Sequence, residues 1–152
     1  MNKSLQHTVF VCASFVSIAI SIVRPLYLSD ENLFLRDFID HEAISLMGII
    51  VSITLASTAN IHFELNKIEA GRNIFPKTRT NLKKSAISLL LALIFCIGVS
   101  LLKGSAGFAD TGQAIVNSLI LLTLLFSLFV LWDIANLVFK IRGTSKVQKD
   151  GE

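Results

Sequence analysis

The sequence predicts an all-α fold: a polytopic four-transmembrane-helix bundle, with an outer amphipathic helix and a cytoplasmic extension of the second helix. Three observations predict it. Long runs of the chain carry no charge, the basic residues gather on alternate connections, and small residues recur every fourth position within three of the runs.

The chain is 53% hydrophobic and only 16% charged, where ordinary soluble domains have roughly a quarter of their residues charged. Runs 8–23, 43–61 and 85–102 carry no charge, and 115–139 carries Asp133 alone. A bilayer core about 30 Å thick takes about 20 mostly apolar residues as a helix. The first run is short, but Leu5 and Gln6 extend it inward. Leu26, Tyr27 and Leu28 extend it past Arg24, whose long side chain reaches the headgroups. A cleaved signal peptide competes for this run. Pro25 and bulky Leu26 to Leu28 stand where small residues would mark cleavage, so a retained helix is expected. The tails and loops left over are too short for a second core, and residues 1–152 read as one membrane domain.

Charge asymmetry sets the expected orientation. Lys3, the middle-loop residues Lys67, Arg72, Lys77, Arg79, Lys83 and Lys84, and Lys140, Arg142, Lys146 and Lys149 of the tail fall on one side; Arg24, Arg36 and Lys103 fall on the other. Lys and Arg mark cytoplasmic loops, so both termini are expected in the cytoplasm, with the chain in a bacterial inner membrane. The net charge of +3 has the same origin. Basic loops hold topology and touch anionic lipid; with no aromatic interleaving or nucleic-acid motif, direct nucleic-acid binding is not expected.

Between the first two spans lies "SDENLFLRDFIDHEA", 29–43. Ser29 or Asp30 is the expected helix cap. Leu35, Phe38 and Ile39 fall on one stripe beside Phe34, while Asp30, Asp37 and Asp40 face elsewhere, as in a helix lying on the outer surface. Asp37, Asp40, His41 and Glu42 lack a fixed set of four metal ligands and read as a solvated face. The second helix continues past its span, because Ile61, Leu65 and Ile68 keep helical spacing up to Gly71, a natural C-cap. Pro76 and Thr78 start the return. The outcome is a basic cytoplasmic hairpin over 62–84. The loop "KGSAGFADTGQA", 103–114, has no phosphate-binding pattern.

Ala13, Ser17 and Ser21 form the small-residue face of the first span. Gly48, Ser52, Ala56 and Asn60 form that of the second, and Ser88, Ala92, Cys96 and Ser100 that of the third. In lipid, helices associate through close backbone approach and interhelical hydrogen bonds, which such faces permit. Three faces suit a tight bundle, and a face left over would join subunits of a homo-oligomer. The fourth span, rich in Leu with Phe126 and Phe129, is expected to face lipid over its outer half.

Tests for chemistry point away from an enzyme. Cys12 and Cys96 differ in depth by about 12 Å, too far for a disulfide. His7, His41 and His62 sit at or beyond the ends of the spans, where they hold no haem, and no hydrolase or metalloprotease motif occurs. No cofactor is expected. Small multidrug exporters keep a Glu in their first helix; this chain has none there.

Asp133 remains. Seven residues before Lys140, it lies about 10 Å inside the inner boundary. Asn136 is one turn on, and Asn60 of the second helix lies at matching depth with His62 just below. The expected arrangement is a polar cluster of Asp133, Asn136, Asn60 and His62 that clamps the fourth helix to the second. An ion or proton site is the competing role.

The whole plan resembles the small four-span membrane subunits of bacterial phage-exclusion systems, the lambda Rex membrane component and Kiwa membrane subunit type. The matching features are length, four spans, the basic hairpin "ELNKIEAGRN…KTRTNLKK" and the basic tail "FKIRGTSK". The resemblance is one of topology and implies an antiphage sensor or effector. Function is therefore expected to be non-enzymatic: an oligomeric membrane subunit that docks a cytoplasmic protein or lipid headgroups through Lys67, Arg72, Lys77, Arg79, Lys83 and Lys84. A membrane-depolarising pore is the alternative, and a small transporter ranks below it.

Overall fold

A computed structural model describes residues 3–69, 76–105 and 109–149. Among them the chain is helical, with no strand: α1 (Lys3–Val23), α2 (Leu33–Asp37), α3 (Ala43–Glu69), α4 (Pro76–Ser105) and α5 (Asp110–Lys149). Four stretches are long and apolar enough to cross a membrane: Ser4–Val23, Leu33–Asn66, Lys77–Lys103 and Asp110–Val138.

Pro25 ends α1, as its missing N–H requires, and opens a short 3₁₀ turn, Pro25–Tyr27. The next helix is capped by Asn32, whose side chain accepts from the Leu35 N–H at 3.2 Å. Ser29 and Asp30, the caps expected from sequence, are engaged elsewhere. Ser29 is buried, its Oγ accepting from the Glu31 N–H at 3.4 Å, and Asp30 is held by Lys103.

No break separates α2 from α3. A single π turn, Phe38–Glu42, joins them, with the Ala43 N–H donating to the Phe38 carbonyl. The turn has a packing purpose. Leu35, Ile39, Ala43 and Met47 recur every fourth residue and all are buried. In a plain α-helix each step of four overshoots a full turn by about 40°. The widened turn takes up that drift and keeps the four side chains in one line.

The bundle is built around α5. It packs against α1, α3 and α4, whereas α1 packs chiefly against α5. Matched pairs set directions: Gln6 with Asp133, Phe10 with Phe126 and Ser21 with Ser118 make α1 antiparallel to α5. Met47 with Ile120 and Ile61 with Ile134 make α3 parallel to it. Three apolar layers follow. Leu35, Ile39, Met47, Cys96, Ile120 and Leu124 lie at one end, Ile50, Val51 and Leu89 in the middle, and Ile61, Leu65, Leu82 and Ile134 at the other. We call the first the cap end and the last the hairpin end, after the α3–α4 turn.

The central place of α5 corrects the expectation that the Leu-rich helix faces lipid. Its span is 39% buried, the most of the four, and α1 is only 11% buried. Small-residue faces need large residues to fill them. Leu124 and Ile120 do so against Ala92 and Cys96 of α4, whose stripe Ser88, Ala92, Cys96 and Ser100 points inward. The α1 stripe, Ala13, Ser17 and Ser21, likewise turns towards the bundle. The α3 stripe does not: Ser52, Ala56 and Asn60 are exposed and Gly48 is half-buried.

Candidate functional site at the two polar ends of the bundle

Three contacts mark out the antiparallel α1–α5 seam from one end to the other. At the cap end the Ser21 hydroxyl lies 2.8 Å from that of Ser118, each also bonded to its own preceding turn. Midway, the Phe10 and Phe126 rings meet edge to face with centroids 6.3 Å apart. At the hairpin end Gln6 Nε2 donates to Asp133 Oδ1 at 2.7 Å. Gln6 is 8% exposed, but Asp133 is exposed.

Asp133 therefore ties α5 to α1, and not to the second long helix. Of the cluster expected from sequence, Asn136 shares its helix, while Asn60 and His62 are exposed on α3. Among the described residues no hydrogen bond joins any of the three to Asp133. The depth match is present, since Ile61 and Ile134 share a layer. Azimuth separates the groups: α3 turns Ile61 inward and Asn60 away. Sequence reasoning treated Gln6 only as an extension of an apolar run. The available signal was that Gln6 is the one amide of the first span at the depth of Asp133.

The basic hairpin is described in part. Lys77, Lys83 and Lys84 are exposed on the first turns of α4. Arg79 Nη2 donates to Asn66 Oδ1 at 2.6 Å and so closes α4 onto α3. The Lys67 side chain and Arg72, like the expected Gly71 cap, lie outside the described residues.

The cap end holds a cluster that the sequence did not reveal. Lys103 Nζ lies 2.7 Å from Asp30 Oδ1 and 2.8 Å from Asp40 Oδ1, and its side chain is only 8% exposed. Asn117 Nδ2 donates to the Leu28 carbonyl at 2.8 Å and to Asp30 Oδ1 at 3.2 Å. The Asp30 N–H donates to Gln113 Oε1 at 3.3 Å. One cation thus ties α4 to the loop after α1 and to the π turn, while α5 supplies the amides. Asp40, read from sequence as part of a solvated face, is exposed but also paired with Lys103. Asp37 does stand outside, paired with neighbouring Arg36 at 3.3 Å.

Cys12 is exposed and Cys96 buried, and both are free. Within the bundle, the Thr54 and Thr58 hydroxyls and Asn117 Oδ1 are buried and have no hydrogen-bond partner among the described residues.

Four apolar spans with polar groups fixed at both ends define the class: a multi-pass membrane protein. Comparison with known protein families, curated proteins and solved structures finds no match to any of them.

Proposed function

We propose that this chain is a non-enzymatic subunit of an oligomeric assembly in the bacterial inner membrane, a sensor or effector that docks a cytoplasmic protein through its basic 62–84 hairpin. One observation carries the reading. Asp133 lies within the span Asp110–Val138, on the outside of the bundle, with a single amide donor. A carboxylate at such a depth normally faces protein or water. The surface that carries it is therefore a surface for another subunit.

The basic hairpin gives the orientation, since Lys and Arg stay in the cytoplasm. The hairpin end is then the inner end, both termini are cytoplasmic, and the end of α3 reaches the cytoplasmic side of the membrane. The cap end is the outer end, where Leu33–Asp37 covers the bundle as the amphipathic element. Lys77, Lys83 and Lys84 are exposed, and the Arg79–Asn66 bond holds α4 to α3 beside them. This suits an acidic protein surface. Phage exclusion is the setting implied by the resemblance of the four-span plan and basic hairpin.

Native mass measurement from lipid particles tests the assembly: a multimer is expected, and a monomer at all protein concentrations defeats the reading. Docking is tested by reversing Lys77, Lys83 and Lys84 to Glu. Protection against phage should be lost with the multimer intact, and retained protection rules docking out.

The pore reading has one observation of its own. The buried, unpartnered hydroxyls of Thr54 and Thr58 lie on α3 inside the bundle, and polar groups within a span are typical of ion paths. Liposomes bearing the protein would then conduct, and Thr54→Val would reduce the current.

A further inference from the structure

Among the polar side chains exposed on the spans, Asn60 and Asp133 stand at one depth. Ile61 and Ile134 share the layer at the hairpin end, so Asn60 and Asp133, each one residue earlier on parallel helices, lie at nearly equal depth. Both are exposed. They occupy different sides of the bundle. Asp133 borders α1, and Asn60 lies on the outward side of α3 with Ser52 and Ala56. One group is a donor without a partner among the described residues, and the other is a carboxylate with one donor.

We infer that a second copy of this chain satisfies both: the Asn60 amide of one copy donates to the Asp133 carboxylate of the next, head to tail in the plane of the bilayer. The inference rests on the reading of the chain as an assembly subunit and names the contact that builds it. Depth singles out the occupant. Two copies inserted in the same sense carry Asn60 and Asp133 at the same level without any adjustment, whereas an unrelated helix has no reason to present a donor there.

The surfaces fit the approach. Outward from Gly48 an added Cβ meets nothing within 4 Å, so the small side of α3 is open. Ser52 spends its hydroxyl on the Gly48 carbonyl at 2.8 Å, which leaves a smooth surface for close contact. Beside Asp133, Trp132 and Leu5 are exposed, at 51% and 52%, as large side chains to lie against that surface. Because donor and acceptor occupy different faces, the contact is heterologous and repeats from copy to copy, closing into a ring when the rotation permits.

The test uses the full chain in native membranes with Cys12→Ser and Cys96→Ser. Oxidation should link Asn60→Cys chains to co-expressed Asp133→Cys chains, and a chain carrying both substitutions should give a ladder of multimers. Dimers formed by Asn60→Cys alone, with no mixed product, would overturn the head-to-tail contact in favour of a two-fold α3 interface. A multimer by native mass with no Asn60–Asp133 link would overturn it too, yet leave the assembly reading standing; a monomer would remove both. A charge exchange guards against misfolding, because Asp133→Asn keeps an acceptor for Gln6. Asn60→Asp should weaken association at least tenfold, and Asn60→Asp with Asp133→Asn should restore it. Wild-type association in the Asn60→Asp single variant would sink the proposal.

Discussion

The two ends of the bundle solve the same problem in opposite ways. At the cap end, Lys103 is almost wholly covered and sits between Asp30 and Asp40, and Asn117 and Gln113 bind the same loop. At the hairpin end, Asp133 has one neutral amide, and Asn60 and His62 are turned outward. Internal satisfaction fixes the loop and α2 against α4 and α5, so the cap end serves the fold. The hairpin end keeps unmet polar capacity on its surface, which in the proposed assembly is met by a second copy.

Substitutions can break this contrast. The largest effect is expected at Lys103→Met, which leaves two facing carboxylates without their cation. Removing one partner of a covered pair costs about 3 kcal/mol, and the partial exposure of Asp40 trims this. Unfolding in micelles should show it as a clear drop in Tm, with Lys103→Arg much milder. Ser21→Leu comes next, because it forces a large side chain into the α1–α5 seam at Ser118; overpacking costs about 2 kcal/mol. Hydrogen exchange should rise along α1 while α3 and α4 stay protected. Gln6→Leu removes a hydrogen bond to a carboxylate, about 1.5 kcal/mol, visible as a smaller Tm shift.

Asn60→Leu is expected to change monomer stability least, by under about 0.5 kcal/mol, because the side chain is exposed. Its effect should appear in native mass, as loss of the multimer. If Asn60→Leu lowered Tm as much as Lys103→Met, the division between the ends would be wrong.

The spans were readable in the sequence because charge-free runs of such length have one economical physical home. The seam between α1 and α5 was less so. A stripe such as Ala13, Ser17 and Ser21 marks a packing face but does not name the helix that fills it. Depth along a helix can be counted from the boundary charges, and counting placed Asn60 level with Asp133. Direction around the axis depends on which helices are neighbours, and that turned Asn60 outward and handed Asp133 to Gln6. The Lys103 cluster was hidden for another reason. Its members come from 29–43, from the end of α4 and from α5, and no local spacing connects them.

The π turn has a consequence for how this protein tolerates change in chain length. Loops between membrane helices usually accept insertions and deletions, and 38–42 lies in the connection between the first two spans expected from sequence. Here the widened turn is continuous with α3, and Ala43 is bonded back to Phe38. Adding one residue to a turn that already holds its extra one would swing everything upstream by about 100°. Leu35 and Ile39 would leave their line with Met47, and Asp30 would leave Lys103. The segment behaves as a gear of fixed tooth number, so its length is under stricter constraint than the identity of most residues within it.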